Sequence, residues 1–291
     1  MPFAELEDIV ISYQDTGVPT NTEIDYTTIV LVHGHKFNSR ELLGTEDLEI
    51  REPCFPDTWD LLLPRLSADY RLIAYDRRRY GQTRASPLTD LDSSDLLKFI
   101  AHLRSVGAVP SKLVMFGWSA GCFGPVLAVD DTPQDQSLPF DAILLYDPPF
   151  FTPAPPPRSQ NFDFGRLVAG YFDPITAAPI PDRNSIDIMP QEILRLCYDT
   201  DAGDPGIPNT IRSRINPELV SRVIDRVPIG LLYGTLSLVH MVVACKKVIE
   251  LAGKRETFFA MEMEDTNHFA MTDKPDMFAE RVRQALDKLI R

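Results

Sequence analysis

Cysteine is scarce in this chain: the four thiols, Cys54, Cys122, Cys197 and Cys245, form no CxxC pair and no Cys/His metal spacing. That excludes a disulfide scaffold or a zinc module and predicts free thiols in a reducing compartment. No apolar run approaches the ~18 residues that a membrane-spanning helix requires. Positive charge is in deficit, with 29 Lys and Arg against 42 Asp and Glu and a formal net charge of −13. Such a surface repels phosphate backbones and anionic lipid, so neither nucleic acid nor membrane is an expected partner. The first residues, MPFAELEDIVISYQDTG, are acidic and lack a basic stretch followed by an apolar one, which argues against a secretory signal. A soluble, cytoplasmic protein is expected. What is abundant is core material: 44% of the 291 residues are hydrophobic and 9% aromatic, which excludes disorder and coiled coil.

Short aliphatic runs alternate with longer helical patterns, the signature of an α/β fold with a mostly parallel sheet flanked by helices. Strands are predicted at 27–32, 70–75, 112–116, 141–146, 228–233 and 257–261, each apolar enough to be buried on both faces. Helices are predicted at 58–66, 92–106, from Ala120 onward, at 241–251 and at 274–290, and residues 3–13 suit a leading antiparallel hairpin. The alternation stops between Asp147 and Arg226. Thirteen of the 25 prolines fall in residues 148–217, alongside Phe150, Phe151, Phe162, Phe164, Tyr171 and Phe172. That many large apolar groups do not suit a disordered linker. The domain reading is a core of residues 1–147 and 227–291 carrying an inserted, proline-rich cap at 148–226. Residues 40–60 hold seven acids and two bases and read as an acidic surface loop.

The sharpest local signal is Gly117-Trp118-Ser119-Ala120-Gly121, a G-x-S-x-G between a predicted strand and a predicted helix. In that context the serine sits on a tight turn with its Oγ exposed at the sheet edge. A serine hydroxyl needs a base to take its proton, and only five histidines are available. His268 lies in a polar loop after the last strand, His102 in a helical pattern, His240 near a helix start, and His33 and His35 in the strand-end text LVHGH. His268 is the expected base, with His240 as competitor. No Asp or Glu occurs from Tyr233 to Cys245, so the strand PIGLLY cannot supply the orienting acid. The preceding strand ends at Tyr146-Asp147-Pro148, which makes Asp147 the expected acid and Asp265 or Glu264 its rivals. Oxyanion donors are expected from the His35 and Ala120 amides, and His33 reads as an organiser of its loop. Asp76 reads as a brace for its own loop, Arg77-Arg78-Arg79 as a surface cluster paired with the acidic loop at 40–60, and Cys122 as a small buried hydrophobe.

Taken together, LVHGH (31–35), AYDRRRYGQT (74–83), GWSAG (117–121), LLYDPP (144–149) and NHFAMTDKPDMFAERV (267–282) make the chain resemble the α/β-hydrolase superfamily, in the order Ser…Asp…His. Many members carry the acid after the strand that here reads PIGLLYG, where this chain has Ser237. The acid one strand earlier is similar to the fungal zearalenone-type lactonases. The resemblance implies a serine hydrolase of a small-molecule ester or lactone that uses no metal or organic cofactor. It also implies substrate contacts from Gly34, Trp118 and the cap residues Phe164 and Tyr171. Two other classes share these residues: a same-triad cyclase, acyltransferase or lyase, and a non-enzymatic small-molecule binding protein. Oligomeric state is not legible; a homodimer is one reading.

Overall fold

A computed structural model of the chain describes residues 2–21, 25–34, 59–78, 80–85, 93–151 and 209–290. The strands are β1 (Phe3–Glu5), β2 (Ile9–Asp15), β3 (Thr28–Val32), β4 (Arg71–Tyr75), β5 (Arg84–Ala85), β6 (Leu113–Trp118), β7 (Ala142–Tyr146), β8 (Ile229–Gly234) and β9 (Phe258–Met263). The sheet runs β1-β2-β4-β3-β6-β7-β8-β9, with β5 against β2. The β1–β2 pair is the expected leading antiparallel hairpin, β2 also pairs antiparallel with β4, and every pair from β4 to β9 is parallel. The helices are α1 (Leu63–Leu66), α2 (Ser93–Ser105), α3 (Phe123–Asp131), α4 (Asn209–Arg214), α5 (Pro217–Arg226), α6 (Val239–Ala252), α7 (Ala270–Asp273) and α8 (Pro275–Leu289).

Strand periodicity divides the core into two layers. Val30, Val32, Met115, Ile143 and Leu145 pack on the side that carries α2, α3, α5 and α6. Their neighbours Ile29, Leu31, Phe116, Trp118, Leu144 and Tyr146 pack on the other side, against α1, α7 and α8. Each large side chain so buried contributes about 1.5–3 kcal/mol of transfer free energy. Because β4 lies on one side of β3 and β6 on the other, strand order reverses at β3. The crevice for a ligand in such a sheet opens beyond the carboxyl ends of the strands at that reversal.

Three departures from the sequence reading have local causes. The helix expected at 58–66 narrows to Leu63–Leu66, because Pro64 has no N–H to give the carbonyl four residues earlier. The helix expected from Ala120 begins with a 3-10 turn, Ser119–Cys122. Helix α5 falls inside the interval read as cap, yet Leu219, Val220, Val223 and Ile224 are buried in the main core. Asn216 caps it, its Oδ1 accepting from the Leu219 amide at 2.8 Å. The helix therefore belongs to the core, not to an insertion reaching residue 226. Residues 152–208 of the interval read as a cap, and the stretch read as an acidic loop through residue 58, lie outside the described residues, as do Cys54 and Cys197.

Two of the three arginines expected at the surface are also placed differently, and Arg79 lies outside the described residues. Arg77 and Arg78 are both 5% exposed. Arg78 forks onto Asp95, donating Nε to Oδ2 at 2.7 Å and Nη2 to Oδ1 at 2.8 Å, and reaches Asp8 at 3.4 Å. The pair joins the loop after β4 to the first turn of α2. Removing one partner of such a buried pair strands the other charge. Arg78→Met should lower stability by about 3–5 kcal/mol in chemical denaturation, whereas loss of the exposed Lys98–Asp8 pair should leave the transition nearly unchanged.

Candidate active site

Two residues with positive φ stand side by side at the carboxyl edge of the sheet. β6 and β7 pair in parallel with Trp118 opposite Tyr146, so the residues that follow, Ser119 and Asp147, leave adjacent strands. Ser119 has φ 54° and Asp147 has φ 47°, a left-handed conformation that costs a non-glycine residue free energy and concentrates at functional sites. Glycines make the turn at Ser119 possible. A Cβ on Gly121 would stand 2.1 Å from the Val32 carbonyl oxygen, and one on Gly117 would stand 2.7 Å from Cys122 Cα. Gly34, just beyond β3, backs onto the same turn: a Cβ there would lie 3.0 Å from the Trp118 indole and 3.2 Å from Ser119 Cβ.

Asp147 is fully buried and its carboxylate is saturated with donors. Oδ1 accepts from the Gly234 amide at 3.2 Å. Oδ2 accepts from the Ser237 hydroxyl and from His268 Nδ1, the latter at 3.1 Å. A carboxylate oxygen accepts, so in this contact His268 Nδ1 is the donor. The expected pairing of Asp147 with His268 is thus present. The rivals Glu264 and Asp265 are exposed on the loop; the Asp265 amide donates to Thr235 Oγ1 at 3.0 Å. His240 is exposed at the start of α6, and His102 is half-buried on α2.

The loop that carries His268 is held from below. The Trp118 indole donates to the His268 carbonyl at 2.9 Å, and the Tyr146 hydroxyl donates to the Asn267 carbonyl. Asn267 Oδ1 accepts from the Phe269 amide at 2.8 Å, and the Leu236 amide donates to the Thr266 carbonyl at 2.8 Å. Burial, reinforced by the neighbouring Asp147 charge, pushes the Tyr146 phenol well above its usual range, so it stays a donor. Trp118 is fully buried, packed against Trp59, Phe269 and His268. That places it under the histidine loop. Ser237 and Tyr146 are site residues to which sequence reasoning assigned no role; the one signal was Ser237 standing where many relatives keep an acid.

Of the expected oxyanion donors, Ala120 is in the 3-10 turn at the amino end of α3, where first-turn amides have no intrahelical acceptor. His35 lies outside the described residues, as do Phe164 and Tyr171. His33 is the organiser expected: its Nε2 accepts from the Arg77 amide at 3.1 Å and its Nδ1 lies 2.8 Å from the Gly34 carbonyl. Asp76 braces its loop as expected, accepting from the Gln82 amide at 3.1 Å. No cluster of three His, Cys, Asp or Glu among the described residues is arranged to hold a metal ion.

The profile of the alpha/beta hydrolase family matches residues 29–281, most of the chain. The chain belongs to the alpha/beta hydrolase family. Solved structures similar to this hydrolase include Est816, described as an N-acyl homoserine lactone degrading enzyme. It is 16% identical, with a TM-score of 0.67 over 97% of this chain and 99% of that one. The enol-lactonase from Burkholderia xenovorans LB400 is 16% identical, with a TM-score of 0.62 over 98% and 100% of the two chains. A thermophilic esterase from Thermogutta terrifontis is 14% identical, with a TM-score of 0.66 over all of both chains. At these identities the likeness concerns the fold. No curated protein matches the chain in sequence. No described helix of this hydrolase is long and apolar enough to cross a membrane.

The thiols beneath the site are the most directly testable part of its electrostatics. Cys122 and Cys245 are fully buried, and desolvation is the main cause that pushes both thiols well above their usual pKa, with Asp147 adding to it. Only the thiolate alkylates readily, so at about pH 8.5 both should resist iodoacetamide in the native protein and react once it is unfolded, as read by peptide mass mapping. A raised folded pKa stabilises the native state below the unfolded thiol's pKa, and that contribution is lost as pH rises through the folded value. Melting temperature should therefore fall on the alkaline side.

Proposed function

We propose that this hydrolase cleaves a carboxylic ester or lactone through an acyl-enzyme, with Ser119 as nucleophile, His268 as base and Asp147 as orienting acid. The observation that carries the reading is the His268 Nδ1–Asp147 Oδ2 hydrogen bond at 3.1 Å, set beside a serine with φ 54° on the adjoining strand end. With Nδ1 holding its proton on Asp147, Nε2 accepts the Ser119 proton as Oγ bonds to the substrate carbonyl carbon. The imidazolium so formed is stabilised by the buried carboxylate. The Ala120 and His35 amides take the negative charge that develops on the carbonyl oxygen. Collapse breaks the ester C–O bond, the leaving alkoxide takes the proton from His268, and water, deprotonated by the same nitrogen, releases the acid and restores Ser119. In a lactone both products remain one molecule, a hydroxy acid.

Lactone- and ester-cleaving neighbours of the same fold support this substrate class, and a chain of net charge −13 favours neutral over anionic esters. Choice among substrates we assign to the insertion that follows Asp147, with Phe164 and Tyr171 as its contact residues. Among the described residues Asp147 meets three donors and no Lys or Arg, so Ser237 supports the acid by holding Oδ2 towards the imidazole.

Ser119→Ala should abolish both turnover of a p-nitrophenyl ester and labelling by a fluorophosphonate; labelling that survives removes Ser119 from the nucleophile's role. Asp147→Asn should lower kcat by about 10⁴-fold while circular dichroism stays native, as a wrong His tautomer predicts. Near-normal activity in that variant would assign the acid elsewhere. In ¹⁸O-water the acid product should gain one label; an unlabelled product means transfer to another acceptor.

A further inference from the structure

The two ends of the sheet differ in how they are guarded. At one end β1 is three residues long and finishes on Glu5. At the other, β9 is six residues long, Phe258-Phe259-Ala260-Met261-Glu262-Met263, and its first four residues are apolar and half-buried. They occupy both faces of the sheet: Phe258 and Ala260 pack on the side of α6, Phe259 and Met261 on the side of α8. Among the described residues no strand pairs with the outer side of β9. Edge strands are ordinarily protected by shortness, Pro, Lys or a bulge. β9 has neither Pro nor Lys and runs in unbroken register along β8.

The outward polar groups follow from the ladder. The Ile229 amide donates to the Thr257 carbonyl at 2.7 Å and the Thr235 amide to the Met263 carbonyl at 3.1 Å, so the odd-numbered residues of β9 give their backbone to β8. Backbone groups alternate along a strand, which turns Phe258, Ala260 and Glu262 outward. The Phe258 amide already donates to the Arg255 carbonyl at 3.2 Å. What stays open is the amides of Ala260 and Glu262 and the carbonyls of Phe258, Ala260 and Glu262. This set is self-complementary about Ala260. With a second copy running antiparallel, each Ala260 amide meets the other Ala260 carbonyl, and each Glu262 amide meets the other Phe258 carbonyl. The same register sets Phe259 opposite Met261, and only the small Ala260 side chains face each other at the axis. Charge favours this direction. The exit from β9 carries three exposed acids, Glu262, Glu264 and Asp265, and the approach carries Lys254, Arg255 and Glu256. Antiparallel pairing sets each acidic exit beside the other copy's two cations, whereas parallel pairing sets acids on acids. We infer that two copies of this chain join edge to edge through β9, antiparallel about a two-fold axis at Ala260, which continues the sheet across a homodimer. The interface holds whatever substrate the site takes.

Sedimentation velocity of the full chain across a concentration series should show a species of twice the monomer mass that grows with concentration. In native hydrogen exchange the Ala260 and Glu262 amides should become protected in step with it. Ala260→Pro deletes an amide that β8 does not use, so it should leave circular dichroism native and the protein monomeric. Because Ala260 stands opposite itself, Ala260→Lys and Ala260→Glu should each be monomeric alone, and an equimolar mixture of the two should regain the dimer. A wild type that stays monomeric throughout the series overturns the interface, as does a folded Ala260→Pro protein that still dimerises. If Ala260→Pro does not fold, undiminished dimerisation of the Ala260→Lys and Ala260→Glu proteins overturns it instead. A mixture of those two that stays monomeric, while wild type dimerises, overturns the register about Ala260.

Discussion

Gly121 approaches the end of β3 so closely that a methyl group there would overlap the Val32 carbonyl oxygen, and this backbone-to-backbone contact governs the whole site. It forces the helix after β6 to start at once, without a spacer, so the chain turns through Ser119 at positive φ. It also brings the start of that helix against the His33–Gly34 corner. The turn at Ser119 and the His33–Gly34 corner are consequently one packed unit, and strain at Ser119 persists because the sheet beneath it is fully buried on both layers. A looser junction would leave Ser119 in an ordinary conformation and separate it from the β3 loop.

The acid side is organised by a different constraint. A fully buried carboxylate is tolerated when its lone pairs are met by donors, and here they come from three places in the chain: Gly234, Ser237 and His268. Two of them lie at the end of β8, the strand edge that lacks any acid of its own. β8 therefore still serves the site, as donor and not as acceptor. Beneath, Tyr146 and Trp118, which are register partners on β7 and β6, each give a hydrogen bond to the histidine loop. The strands that lead to Ser119 and to Asp147 thereby share the support of the His268 loop.

The parallel sheet was legible because buried strands such as Ile29–Val32 and Leu113–Phe116 are apolar at every position. The elbow was legible because its glycines answer steric demands that no other residue meets. The Asp147–His268 pairing followed from elimination, since the strand before α6 offers no carboxylate. Other features were hidden for physical reasons. Arginine reads as surface in a linear sequence, and nothing in DRRRYG distinguishes Arg78, neutralised by Asp95 across 17 positions, from an exposed neighbour. Trp118 flanks the serine in sequence, but strand alternation turns it into the opposite layer, under the loop. Helix α5 was obscured by the proline-rich text before it, although Asn216 and Pro217 are a conventional cap and first turn.

The stretch of chain between β7 and α5 starts and finishes on the core, and β7 and β8 are hydrogen-bonded neighbours whose far ends are joined again by the Asp147 carboxylate on the Gly234 amide. The excursion begins and ends on framework that is already closed without it. For such a loop each doubling of length costs only about 0.6 kcal/mol in closure entropy. A longer or shorter connection between β7 and α5 is therefore a small thermodynamic change, and the spacing of Asp147, Ser237 and His268 does not depend on it.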